Sequence, residues 1–215
     1  MIQVKKKKKK FSSHISLDNV NIEFNKNEYI ALMGPNGAGK TTLIRSILGY
    51  YHPNSGGVLI NGLDPIKERI KVLEHISFVP QLPPPIKLSL SELMKYIQAS
   101  SDVEKELIMH YANEMKLDIK ENLNKSFFKL SGGMKQKMLI AISLAKKSNI
   151  IIYDEPTANL DPKATDDFYR LLKQNEDDKI LLFVTHRLDE VKDIVNRQVY
   201  MDLGKIISDE KVKDK

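Results

Sequence analysis

The chain opens with weak alternation of apolar and polar positions in "HISLDNVNIEF" and "EYIALMG", separated by the polar turn "NKNE". Period-two alternation, even weak, predicts strands. Asn27 falls at a turn position where asparagine, like glycine, tolerates the left-handed region. "YIALMG" runs into a glycine-rich loop and then "KTTLIRSILGY", a strand–loop–helix sequence. "GGVLING" reads as a short strand bounded by glycines that closes an N-terminal antiparallel sheet.

After the apolar strand "HISFVPQ" the pattern changes. "LPPPIK" cannot be helical, because consecutive prolines favour a stiff extended segment. Ser89 and Glu92 have capping-box spacing, so a helix is expected to start there. From Ser89 to about Lys129 the periodicity is helical, with no strand. The sheet resumes in "NIIIYDE" and "KILLFVTH", continuous apolar runs expected of parallel strands covered on both faces. Helical segments "GMKQKMLIAISLAKK" and "KATDDFYRLLKQ" precede them, "QVYMDLGKII" reads as a closing hairpin, and the last residues form a charged tail.

The expected fold is therefore α/β, a mainly parallel sheet flanked by helices. It carries an N-terminal antiparallel β subdomain and an inserted helical subdomain. One domain over 1–215 is expected, with the core and β subdomain at about 1–85 and 136–215 and the helical subdomain at about 86–135.

Composition narrows the chemistry. The 215 residues contain no cysteine, which excludes disulfides, zinc–cysteine sites and a thiol nucleophile. No apolar run approaches the ~20 residues of a membrane-spanning helix. The N-terminus lacks the apolar stretch of a secretory signal. The net charge of +6 matches the six lysines from Lys5 to Lys10. Such a run permits attraction to nucleic acid or anionic lipid, but no stacking aromatics interleave it. A solvated lysine run on a short edge strand is the plainer expectation.

Gly34, Gly39, Lys40 and Thr41 match the G-x-x-x-x-G-K-[ST] phosphate loop in the context that supports it. Glycines let backbone amides converge on phosphates, the following helix points its positive end at them, Lys40 adds a charge, and the Thr41 hydroxyl can ligate Mg²⁺. "IIIYDEP" puts Asp154 and Glu155 at the end of a buried strand, where open α/β sheets bind ligands. Asp154 is expected to hold the metal shell and Glu155 to polarise the attacking water. His186 and Gln81 also end apolar strands, and the pattern alone leaves structural and catalytic roles equally open for them. "LSGGMKQK" places two glycines before an apolar-periodic helix, a second candidate anion site. Met134, Met138, Ile142 and Ala145 are expected to pack inward behind it.

The ordered set "GPNGAGKTT", "PQ", "LSGGMKQK", "IIIYDEP", "NLD" and "TH" resembles the nucleotide-binding subunit of an ABC transporter over nearly the whole chain. The resemblance implies ATP and Mg²⁺ as cofactors. Gly34, Pro35, Asn36, Gly37, Ala38, Gly39, Lys40, Thr41 and Thr42 are then the Walker A loop, and Gln81 is the Q-loop glutamine, a metal or water contact. Ser131, Gly132 and Gly133 belong to the signature, Asp154 and Glu155 form the Walker B pair, Asp161 lies in the D-loop, and His186 is the switch histidine. Phe11 takes the place of the aromatic that stacks on adenine, or is a core residue. Met134 stands where the signature often has glutamine, and Asn27 where a glycine is frequent.

The resemblance also answers why one domain carries two phosphate loops. Such proteins pair head to tail, and the signature of one subunit closes over ATP held by the Walker A loop of the other. The implied partners are a homodimer or a heterodimer with a similar subunit, and membrane permease subunits, with no nucleic acid. The implied place is cytoplasmic, peripheral at the inner face of the membrane. A soluble ABC ATPase acting on DNA or ribosomes is the alternative, but those carry long coiled-coil insertions or two fused domains. The chain ends soon after "LGKII", which leans towards an exporter or a cofactor-assembly system such as metal handling.

Overall fold

The computed structural model describes residues 1–101, 103–175, 178–186 and 188–212, so the last three residues of the charged tail lie outside it. The described chain falls into two compact units: Met1–Ile76, Asn149–Ile152 and Asp178–Lys215 form one, and Ser77–Ser148 with Tyr153–Asp177 the other.

In the first unit, β1 (Ile2–Phe11), β2 (His14–Phe24) and β4 (Ser55–Ile60) form an antiparallel sheet in the order β2-β1-β4. The lysine run is thus not on an edge strand: it lies in the central one, paired on both sides. The correction has a local cause. Ile2 and Val4 point inward, but the register breaks between Val4 and Lys7, where Lys6 takes φ 46°. Such a bulge inserts a residue and re-aims the side chains beyond it. Lys5 and Lys6 both face out, and Lys7 turns in, left only 1% exposed. Burial pushes its ammonium down to about 8.

Strand β3 (Tyr29–Met33) is buried through Leu32 and is followed by the glycine loop and α1 (Lys40–Ile47). Asn27 has φ 63°, as its turn position requires. Helix α2 (Arg69–Glu74), which the apolar pattern did not announce, precedes β5 (Ile76–Val79). A second sheet has the order β5-β6-β7-β3-β8-β9, with β6 (Ile150–Asp154), β7 (Ile180–Val184), β8 (Arg197–Asp202) and β9 (Lys205–Lys211). β3 is parallel to both β7 and β8, and β9 closes back antiparallel on β8. The apolar runs of β6 and β7 are buried as expected of covered strands. Arg197 locks the outer strands: it forks onto both carboxylate oxygens of Asp209 at 2.6–2.7 Å and reaches Glu28 at 2.7 Å.

In the second unit, α3 (Leu90–Ser101) starts at the expected capping box. The Ser89 amide and hydroxyl both donate to the Glu92 carboxylate, at 2.8 and 2.7 Å. α4 (Lys105–Glu114) and two 3₁₀ turns at Lys120–Asn122 and Phe127–Lys129 lead to α5 (Gly132–Ala145). The buried face of α5 is broader than four apolar residues would make it. Met138 and Ala145 are buried, Met134 and Ile142 only half so, and Gln136, Ile140, Ala141, Ser143 and Leu144 are buried too. α6 (Pro162–Lys173) starts with Pro at its first position, where no backbone donor is missed. α7 (Leu188–Val191) belongs to the first unit.

Candidate functional site

In the first unit the glycine loop leaves β3 with Gly34 at φ 138°, a conformation that glycine adopts without strain. Any Cβ there would collide with the Met201 carbonyl of β8, so the loop can turn this tightly only at glycine. No acidic residue stands in the first turn of α1, so the helix itself places no negative charge at its positive end. The Lys40 ammonium donates to the loop carbonyls of Gly34 at 2.6 Å and Pro35 at 3.0 Å, which holds it at the mouth of the loop. Pro35, Asn36 and Gly37 are exposed, while Ala38 and Gly39 are buried beneath them.

The two threonines separate in role. The Thr42 hydroxyl lies 2.7 Å from that of Ser16 on β2, and is thereby occupied. Thr41 is exposed and its hydroxyl makes no hydrogen bond among the described residues. Ser16 carries no motif signal: it is one polar residue in an alternating strand, visible only once β2 and α1 are set together.

His186 follows the fully buried β7 and is exposed. The parallel register pairs Leu32 with Val184, and the Thr185 amide donates to the Leu32 carbonyl at 3.3 Å. Gly34 and His186 each lie two residues beyond that pair, so they leave the sheet at the same edge. Phe11 ends β1, is 40% exposed and is therefore not a core residue. Its ring meets that of Tyr51 edge-on, with centroids 5.1 Å apart.

In the second unit, β6 ends in Asp154, and Glu155 beyond it has φ 48°. A non-glycine residue in the left-handed region is strained by about 1–2 kcal/mol, and such strain clusters at functional positions. Gln81 is exposed, two residues after β5. Ser131 is the N-cap of α5, its hydroxyl accepting from the Met134 amide at 3.2 Å. A Cβ on Gly133 would lie 3.0 Å from the Asn159 carbonyl, so the signature loop packs closely on the segment that leads to Asp161. Asp161 caps α6 by accepting from the Ala164 amide at 2.9 Å, and that bond holds its carboxyl below the usual range.

Thr41 in the first unit, and Gln81 and Asp154 in the second, each carry an oxygen donor of the kind that a hard divalent cation such as Mg²⁺ takes. No thiolate competes for a softer metal, because the chain has no cysteine.

A buried strand, a glycine loop and a helix whose first residues are Lys and Thr define a P-loop nucleoside triphosphatase. Within that class, the family model described as "ABC transporter" matches residues 17–158, and the chain belongs to that family. It is similar to the energy-coupling factor transporter ATP-binding protein EcfA2 of Clostridium tetani, 33% identical over 90% of this chain and 71% of that protein. It is similar to the arginine transport ATP-binding protein ArtM of Bacillus subtilis, 31% identical over 100% of this chain and 92% of that one. The dimeric structure of a post-hydrolysis state of the cassette MJ0796, bound to ADP and Pi, superposes with a TM-score of 0.84 at 27% identity, covering 100% of both chains. The chain is accordingly an ATPase subunit that serves transport, and action on DNA or ribosomes is not favoured. Among the described residues no helix is long and apolar enough to cross a membrane.

Proposed function

We propose that the chain holds MgATP on its Walker A loop, closes head to tail with a second copy or a similar subunit, and reopens on hydrolysis. Separate membrane permease subunits convert that motion into transport, which places the chain at the inner face of the membrane. Residues 34–40 hold the β- and γ-phosphates through backbone amides and Lys40, with Thr41 and Thr42 at the start of the helix. Thr41, Gln81 and Asp154 hold Mg²⁺, which neutralises charge developing on the phosphate oxygens. Glu155 polarises the attacking water, and His186 hydrogen-bonds the γ-phosphate. Phe11 supports the adenine. Ser131, Gly132 and Gly133 complete the partner's site, and Asp161 lies beside it.

In this reading residues 1–85 and 136–215 form the ATPase core with its β subdomain, and 86–135 the helical subdomain. Transported substrate and direction belong to the membrane subunits.

The observation that carries the proposal is the shared sheet edge: the Leu32–Val184 pair makes the phosphate loop and His186 emerge side by side. Glu155→Gln tests it. The variant keeps the shape and hydrogen bonding of the side chain but cannot polarise water. It should bind MgATP with wild-type affinity and lose turnover by about 10²-fold or more. Wild-type turnover would remove Glu155 from the mechanism.

A further inference from the structure

Around Phe11 the first unit gathers three side chains that belong to no motif. Arg45, exposed on the last turn of α1, donates from its guanidinium to the Tyr51 hydroxyl at 2.9 Å. The Tyr51 ring braces Phe11 edge-on, at an interplanar angle of 76°. The Lys9 ammonium donates to the His52 carbonyl at 2.9 Å and lies 4.9 Å from the Phe11 ring centre and 5.7 Å from that of Tyr51. Neither Lys9 nor Arg45 pairs with a carboxylate among the described residues.

An exposed phenylalanine at a hairpin end ordinarily samples several rotamers. Here a ring edge and a cation fix it, and the hydrogen bond to Arg45 ties the arrangement to the helix that begins at Lys40. Of the two cations without acidic partners, Lys9 lies against the Phe11 ring and Arg45 holds the Tyr51 hydroxyl behind it. That combination suits a flat, electron-rich heterocycle linked to a polyanion, and the ammonium can donate to acceptor nitrogens or oxygens on the ring's edge.

We propose that Tyr51 and Lys9, anchored through Arg45 to α1, position Phe11 as the platform for the nucleobase of a nucleoside triphosphate. This rests on the ATP-binding reading and adds to it: base and phosphate contacts share one helix, so the base strengthens binding without rearrangement of the loop. Tyr51 and Lys9 are positioning residues.

The test is calorimetric titration of the full chain with MgATP and with magnesium tripolyphosphate, which has phosphates and no base. Tyr51→Phe keeps the ring and loses the bond to Arg45, Tyr51→Ala loses both, and Lys9→Met removes the cation. Affinity for MgATP should fall about threefold in Tyr51→Phe and Lys9→Met and at least tenfold in Tyr51→Ala. Affinity for tripolyphosphate should stay at the wild-type value in all three, which also shows that the phosphate loop is folded. The KM for ATP should rise with kcat unchanged. Equal loss for both ligands would make these residues mere supports of the loop, and no loss for either would remove them from the site; both overturn the proposal. Wild-type chain that binds neither ligand would instead overturn the ATP-binding reading itself.

Discussion

The amide of Phe128 donates to the carbonyl of Ile86 at 2.9 Å, which ties the strap after Gln81 to the run that ends in the signature. The same two segments are joined by Phe127 to Leu88 at 2.8 Å and by Leu90 to Lys125 at 3.0 Å. The second unit thus holds Ile86–Leu90 against Lys125–Phe128, just ahead of Leu130 and Ser131, through a series of backbone bonds, with the Ser126 hydroxyl adding one to the Lys87 carbonyl at 3.0 Å. Replacing Pro83, Pro84 and Pro85 by glycine would raise the strap's freedom without touching those bonds' donors. Basal ATPase should survive, and stimulation by the membrane partner should decline. Equal loss of both, measured with and without the partner in vesicles, would place the prolines in the catalytic core.

Glu155 makes two demands that pull apart. Its φ of 48° favours glycine, while the proposed chemistry needs a carboxylate. Glu155→Gly should therefore be more stable than wild type, by about 0.5–1 kcal/mol in urea denaturation, while turnover disappears. Lower stability in Glu155→Gly would mean that contacts of the side chain outweigh the backbone strain.

Lys7 is a lysine whose ammonium has no hydrogen bond or ion pair among the described residues. Its native value of about 8 lies below the ordinary 10.5, so between those pH values the unfolded chain binds more protons than the folded one. Stability from this group therefore rises with pH across that window, and the penalty for burying the charge is complete below pH 8. Lys7→Met should be more stable than wild type at pH 7, by on the order of 2 kcal/mol, and the difference should shrink by pH 10. A difference that is the same at both values would show that Lys7 is not charged differently in the two states.

Arg197 tests where stability resides away from the site. With its side chain 12% exposed and bonded to Glu28 and Asp209, Arg197→Met would leave two carboxylates without their cation. A loss of about 2–4 kcal/mol is expected, with the KM for ATP unchanged in folded protein. A loss below 0.5 kcal/mol would class the network with exposed pairs of little worth.

The phosphate loop, the strand-end carboxylates and the Ser89–Glu92 box were legible because their chemistry is local: residue types a few positions apart carry the whole signal. The central place of β1 was not legible. Six consecutive lysines read as solvent-facing, and only pairing with β2 and β4 reveals the bulge that buries Lys7. Ser16 against Thr42, Tyr51 against Phe11, and the strap against 123–128 escaped for the same reason. Each joins residues 26 to 42 positions apart, and no periodicity within either segment announces the other. The four-residue stripe expected on α5 was too narrow, because Gln136 and Ser143 are buried in spite of their polarity.

The central claim is that the signature of one chain completes the ATP site of another, and proximity of Asn36 to Ser131 between chains tests it most directly. The chain has no cysteine, so engineered thiols report without background. One protein carries Asn36→Cys and the other Ser131→Cys, both with Glu155→Gln to hold the closed state. A disulfide requires Cα atoms within about 7 Å, so a short thiol-reactive linker is run in parallel. The account predicts a band at twice the monomer mass in the mixture with MgATP and none without it. A chain carrying both cysteines that links only within itself, at every protein concentration, would put both loops in one subunit's site and contradict the head-to-tail arrangement.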